Sequence, residues 1–262
     1  MFDLYISLTI FGSRDIFLLI MTDLTERRIA ILKALIDEYI ETAQPISSDT
    51  LERKYNLGVS PATIRNEMVE LSKEGYLKKA HTSSGRAPTS MGLKFYVRNL
   101  LKPKEISVAD EVAVKEKIWD YRQEINQLIH QATIELARRT DALAIAIDTD
   151  NQFYWAGVAN ILDFPEFWDI DLTHSLLSLL DESSFWENLI SRVSEEAPVH
   201  VLLGDDFGID YLEPCGFIFS RLNIGSEKEG IIGVIGPGRF AYGRIIPMVN
   251  YFSRLIKEIS GV

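Results

Sequence analysis

The sequence has one cysteine, Cys215, in 262 residues. That excludes an internal disulfide and a Cys-rich zinc site, and it fits the reducing cytoplasm as the expected compartment. Histidine is scarce as well. His81, His130, His174 and His200 stand far apart, in no metal-ligand spacing, so no metal and no cofactor is expected. No long uncharged apolar run occurs. The nearest approach, Phe2 to Ile20, is interrupted by Asp3, Arg14 and Asp15. A spanning helix wants about 20 nearly uncharged residues, and a secretory signal wants a basic start and a small-residue cleavage site. No membrane partner is expected. Residues 1–20 read as an over-long, dispensable N-terminal extension, with Met21 as the working start.

Catalytic constellations are missing too. Asp205-Asp206 and Glu195-Glu196 fall in loop-like stretches without a partnered His or Lys, the pattern of solvated charge. Gly233, Gly236 and Gly238 lack the spacing of a dinucleotide loop and the Lys-Ser/Thr of a P-loop. No nucleophile triad can be argued, so no catalytic residue is assigned and an enzyme is not expected.

What is present is an uneven distribution of charge. The net charge is −11, which taken alone argues against nucleic acid. Residues 46–102, however, hold 10 Lys+Arg against 5 Asp+Glu, whereas 103–262 hold 13 against 26. A basic module on an acidic body binds DNA through its local patch, because charge more than about 8–10 Å away is screened.

The chain divides into an extension (1–20), a helix-rich module (21–102), a linker helix (103–140) and a sheet domain (141–262). In the module, Asp23 or Thr25 caps a helix whose apolar stripe is Ile29, Leu32, Leu35, Ile36 and Ile40, at 3.6-residue spacing. Ser47 or Ser48 caps a short second helix, and Asn56-Leu57-Gly58 turns the chain. Ser60 caps a third helix with Pro61 at its first position, where the missing N–H costs nothing. Two strands, Tyr76–His81 and Arg86–Thr89, flank a polar tip, Thr82 to Gly85. Helix, helix, turn, helix, hairpin is the order of a winged helix-turn-helix. The linker is read as one long helix from Ile118, Tyr121, Ile125, Leu128 and Ala132, spaced for packing on a twin subunit or on its own body. The third region alternates strands and helices. The fold class is α+β: a winged helix-turn-helix, a linker helix and an α/β sheet domain.

Such a module reads bases from the first turns of its third helix. Ser60, Pro61, Thr63, Arg65 and Asn66 are the candidates there. Arg suits guanine O6/N7 and Asn suits adenine N6/N7, each bidentate. Lys78, Lys79 and Arg86, with the Ser83 and Ser84 hydroxyls, are the candidate phosphate contacts of the hairpin. Arg65 has an alternative use, pairing with Glu67 or Glu70 on its own helix.

Several motifs resemble one family. They are Leu24-Thr25-Glu26-Arg27, Ala43-Gln44-Pro45-Ile46-Ser47-Ser48, Ala62-Thr63-Ile64-Arg65-Asn66-Glu67-Met68 and His81-Thr82-Ser83-Ser84-Gly85-Arg86-Ala87-Pro88-Thr89. Ala159-Asn160-Ile161-Leu162, Pro165-Glu166-Phe167, Gly233 to Arg239 and Tyr242 to Pro247 extend the match through the second half. The sequence is similar to the heat-inducible transcription repressors of the HrcA family over about 24–262. The resemblance implies a GAF-like sheet domain. It also implies a homodimer on a double-stranded inverted-repeat operator of chaperonin and other heat-shock genes, inactivation by heat, and help from a GroE-type chaperonin. In one respect the chain departs from the family. It passes from Ile145-Ala146-Ile147 almost directly to Tyr154-Trp155-Ala156-Gly157, where members carry a further stretch. An alternative reading is a small-molecule-responsive regulator with Trp155, Trp168, Phe217 and Tyr242 lining a pocket.

Overall fold

The computed structural model describes residues 6–7, 24–80, 85–148, 150, 152–193, 197–222 and 230–260. The chain forms two compact units, residues 10–101 and residues 1–9 with 102–262. The first strand, β1 (Ile6–Ser7), belongs to the larger unit. The rest of the expected extension lies outside the described residues.

The smaller unit opens with α1 (Glu26–Thr42). The Thr25 side chain accepts the Arg28 amide, and Ala43 closes the helix in a left-handed conformation. Ile31, Leu32, Leu35 and Ile36 are fully buried on one face. Ser47, not Ser48, caps α2 (Ser48–Lys54) by accepting from Thr50. Gly58 has φ +67 in the turn that follows, a conformation that favours glycine. Ser60 then caps α3 (Pro61–Lys73). Its inward positions Ile64, Met68 and Leu71 are buried. Antiparallel β2 (Leu77–Lys79) and β3 (Arg86–Pro88) form the hairpin, with Leu77 opposite Pro88 and Lys79 opposite Arg86. Residues 81–84, which contain its tip, lie outside the described residues. Ile46 and Arg86 exchange backbone hydrogen bonds of 2.8 and 2.9 Å, tying the start of α2 to the hairpin. Helix α4 (Ser90–Phe95) and a wider turn (Tyr96–Leu100) complete the unit.

The stretch read as one linker helix is two helices, α5 (Val108–Ile118) and α6 (Ile125–Thr140), separated by a 3-10 turn at Trp119–Tyr121. Both belong to the larger unit. The 3-4 pattern was real, but its partner is the body. Ile118, Leu128 and Ala132 are fully buried, and α6 packs against the sheet.

That sheet contains β4 (Leu143–Ile147), β5 (Phe153–Ala156), β6 (Val199–Leu203), β7 (Cys215–Leu222) and β8 (Gly230–Pro237). The order is β1-β6-β7-β8-β4-β5. The five longer strands pair antiparallel, and β1 pairs parallel to the edge of β6. Alternation along the strands sends two sets of side chains to opposite faces. Leu143, Ile145, Ile147, Phe217, Phe219, Ile231 and Ile235 join a core with α7 (Ile170–Ser178), α8 (Ser183–Ser191) and short 3-10 turns. Ala144, Ala146, Ile218, Ile232 and Val234 occupy the other face, which takes α6 and α9 (Tyr242–Ser260). This α+β arrangement is the GAF-like architecture expected. Gly233 is a packing position in this sheet. A Cβ there would run into the Ile218 carbonyl and the Phe219 side chain, so the glycine-rich motif serves close packing.

Candidate nucleic-acid interface

The start of α3 is built by its own side chains. The Ser60 hydroxyl accepts the Thr63 amide at 3.2 Å and lies 3.0 Å from the Thr63 hydroxyl. Pro61 sits in the first turn. Ser60, Pro61 and Thr63 therefore set where the helix begins and which way it points. Ala62, Arg65 and Asn66 are exposed, while Ile64, Glu67 and Met68 turn inward.

The alternative use of Arg65 does not occur. The Glu67 carboxylate is buried and engaged from α1: Arg27 Nε donates to it at 2.8 Å and Arg28 Nε at 2.8 Å. Glu70 accepts Lys73 Nζ at 2.7 Å. With both neighbouring carboxylates occupied by other cations, the Arg65 and Asn66 side chains make no hydrogen bond or ion pair with any described residue.

Glu67 is the positioning residue that sequence reasoning missed. The Arg28 hydrogen bond, reinforced by Arg27, holds its carboxyl below the usual range against the opposing cost of burial. Arg28 also reaches Glu74 at 2.5 Å, so two arginines of α1 grip α3 near its middle and its end. A charged residue at the i+3 position of the buried stripe begun by Ile64 was the available signal. A second tie fastens α2 to α1. Lys54 Nζ meets the buried Glu38 carboxylate at 2.5 Å, and burial beside that carboxylate pushes the Tyr55 hydroxyl up to about 12.

The hairpin candidates separate. Lys78 and Lys79 are both exposed, but consecutive strand residues point to opposite faces. Lys79 shares a face with Arg86. Arg86 is turned to internal use: its Nε donates to the Ser72 hydroxyl at 3.1 Å and its backbone pairs with Ile46. It braces the hairpin against α3. Ser83 and Ser84 lie outside the described residues.

The four aromatics of the ligand-pocket reading do not converge. Phe217 and Tyr242 are buried, whereas Trp155 and Trp168 are 45% and 72% exposed. Phe217 and Trp168 have separate partners. Phe217 stacks on Phe219 with centroids 4.7 Å apart, and the Trp168 indole N–H donates to the Leu162 carbonyl at 2.9 Å. Asp206 accepts the Leu203 amide; Glu195 and Glu196 lie outside the described residues.

The family model for the HrcA protein C-terminal domain matches residues 93–246. The chain belongs to the HrcA family. A heat-inducible transcription repressor HrcA from Desulforudis audaxviator (strain MP104C) is 26% identical over 334 residues, covering 89% of this chain and 97% of that protein. The HrcA repressor from Roseiflexus castenholzii (strain DSM 13941 / HLO8) is 27% identical over 341 residues, covering 91% and 95%. Each alignment is longer than the 262-residue chain itself, so the HrcA relatives carry residues with no counterpart here. A crystal structure described as that of a hypothetical protein matches with a TM-score of 0.71 at 18% identity, covering 91% of this chain and 99% of that one; this likeness bears on fold alone. Arg239 donates to Glu166 at 2.6 and 3.1 Å and lies over the Phe164 ring, linking the Pro-Glu-Phe and Gly-Pro-Gly-Arg segments. No helix among the described residues is long and apolar enough to cross a membrane.

Proposed function

We propose that this chain is a heat-inducible transcription repressor, acting in the cytoplasm as a homodimer on an inverted-repeat DNA operator and carrying no catalytic activity. The observation that supports this most directly is the outward face of α3, where Arg65 and Asn66 stand exposed and without partners among the described residues. In the proposed complex, two copies of α3 enter successive major grooves about 34–36 Å apart. Arg65 and Asn66 contact base edges there, and Ser60 and Thr63 lie at the groove entrance. Lys79, with Lys78, Ser83 and Ser84, meets backbone phosphate, while Arg86 holds the hairpin to α3.

Heat acts on this arrangement by loosening the body or the dimer. Losing the fixed spacing of two modules forfeits the gain from bivalent binding. A GroE-type chaperonin restores the active form, as the family resemblance implies. The family resemblance implies that the stretch this chain lacks would fall at the β4–β5 turn. There the buried Asp148 carboxylate closes a short connection by accepting the Asp150 and Gln152 amides at 2.8 Å and the Tyr154 hydroxyl at 3.0 Å.

Footprinting on the chain's own chaperonin promoter tests the proposal. The expected result is two protected half-sites one helical turn apart, with protection lost after a heat step. Absence of protection at any temperature contradicts it.

A further inference from the structure

The outward face of α3 has an apolar centre line. With about 100° between successive residues, Ala62 and Val69 fall within roughly 20° of one another, two turns apart. Both stand across the helix from Ile64 and Leu71, which are fully buried. Ala62 is exposed and Val69 half-buried. Arg65 lies roughly 60° to one side of Ala62 and Asn66 roughly 40° to the other, and both are exposed. The line facing away from the module is therefore short and apolar, with one longer polar side chain on each flank. Lys73 continues it a turn later, already paired with Glu70.

No carboxylate interrupts the first two turns of this face. Glu67 is turned inward to Arg27 and Arg28, and Glu70 accepts Lys73. The surrounding residues, 46–102, hold 10 Lys+Arg against 5 Asp+Glu. A polyanion that also carries apolar groups fits such a face. Duplex DNA is one, because each thymine projects a C5-methyl into the major groove and the other bases have no such group.

Dimensions give the short line its purpose. The major groove is about 12 Å wide, and a helix with its side chains is about 10–12 Å across. A helix enters that space deeply only where the residues aimed at the groove floor are small. Ala62 sits in the first turn of α3 and lets the helix start approach the base edges, carrying Arg65 and Asn66 down on either side. Its side chain is one methyl with no hydrogen-bonding atom, so it favours an apolar neighbour. We propose that Ala62 is a specificity-determining residue, its side chain packing on the C5-methyl of one thymine in each half-site, beside the bases met by Arg65 and Asn66. Val69 continues the ridge about 10 Å further along and keeps the helix close to the groove. This inference rests on the DNA-reading face proposed above and assigns a base to a residue without a polar group.

Replacing thymine by deoxyuridine is the test, since the exchange removes the methyl and keeps the base pair. Each thymine of the operator half-site is exchanged in turn, symmetrically in both halves, and the full chain is titrated by fluorescence anisotropy. At one thymine position wild type is expected to lose about 4-fold per methyl, or roughly 15-fold for the symmetric pair. Ala62→Gly lacks the contacting carbon, so it should bind thymine and deoxyuridine at that position alike. Its affinity for a scrambled duplex should match that of wild type. Ala62→Ser, which sets a hydroxyl at the contact, should blunt the same ratio and guards against a folding loss in the glycine variant. If wild type prefers the palindrome but no thymine responds, the role of Ala62 is overturned and the repressor reading stands. A thymine that responds equally in wild type and both variants is read by another residue, which also overturns it. Equal binding of palindromic and scrambled duplexes by wild type overturns both together.

Discussion

The module and the body solve the problem of holding helices in place by different physics. In the module, polar ties between helices do much of the positioning: Arg27 and Arg28 grip Glu67, and Lys54 and Tyr55 grip Glu38. These ties leave the outer face of α3 unengaged. In the body, the sheet is sealed by aromatic packing, with Trp186 against Phe217 and Phe217 against Phe219. Even a titratable group is enclosed there: His200 is fully buried and stacked on Phe219 at 5.0 Å. The contrast teaches that charge orients one exposed helix while apolar burial supplies bulk stability. The two regions should therefore answer differently to acid and to substitution. All four tryptophans, at 119, 155, 168 and 186, lie in the body, so indole fluorescence follows that region alone.

The largest expected effect is on the body in acid. Burial, with Arg221 nearby, lowers the His200 imidazole to about 4, against about 6.5 in an unfolded chain. The unfolded state then binds more protons in that window, so stability falls as pH drops from about 6.5 towards 4, by up to about 3 kcal/mol. His200→Leu should flatten this slope in tryptophan-detected denaturation; equal slopes for the two proteins would erase the contrast. In the module, Glu67→Ala should cost about 2 kcal/mol of stability by removing the acceptor that Arg27 and Arg28 share, with Arg28 keeping only Glu74. Far-ultraviolet circular dichroism reads this loss with little change in tryptophan signal. Because the Glu67 carboxyl is held low, its contribution is present above the ordinary carboxylate range and fades as pH falls through its folded value.

Arg65→Ala should spare stability altogether and cost about 1–3 kcal/mol on operator DNA, flattening base preference. A binding curve matching wild type would remove Arg65 from the reading face. The smallest effect belongs to Lys79→Ala, which should weaken binding alike on all sequences and reduce the salt slope by about 1. Titrations at several salt concentrations measure it.

Local chemistry carried the legible part of the fold. The caps at Thr25, Ser47 and Ser60 mark three helix starts because a side-chain oxygen before an amphipathic run satisfies free amides. Short apolar runs exposed β4, β6 and β8, since each crosses a core with two buried faces. The break between α5 and α6 was invisible because neither Gly nor Pro marks it. The chain leaves the helix where Ile118 has reached its core position, and Arg122 donates to the Trp119 carbonyl at 2.9 Å, a matter of packing. On α3, the outward placement of Arg65 and Asn66 was readable from helical phase. Glu67 was not, because its meaning depends on two arginines about 40 positions earlier in the chain. The internal partners of Arg86 were hidden for the same reason: Ser72 and Ile46 are brought to it only by folding.

One titration reaches the centre of the account. Fluorescence anisotropy of the full chain, at one fixed salt concentration, compares a palindromic duplex from its own promoter with the same bases scrambled. The expected outcome is binding at least about 10³-fold tighter to the palindrome. Equal affinity for the two duplexes would mean that the exposed face of α3 does not read sequence.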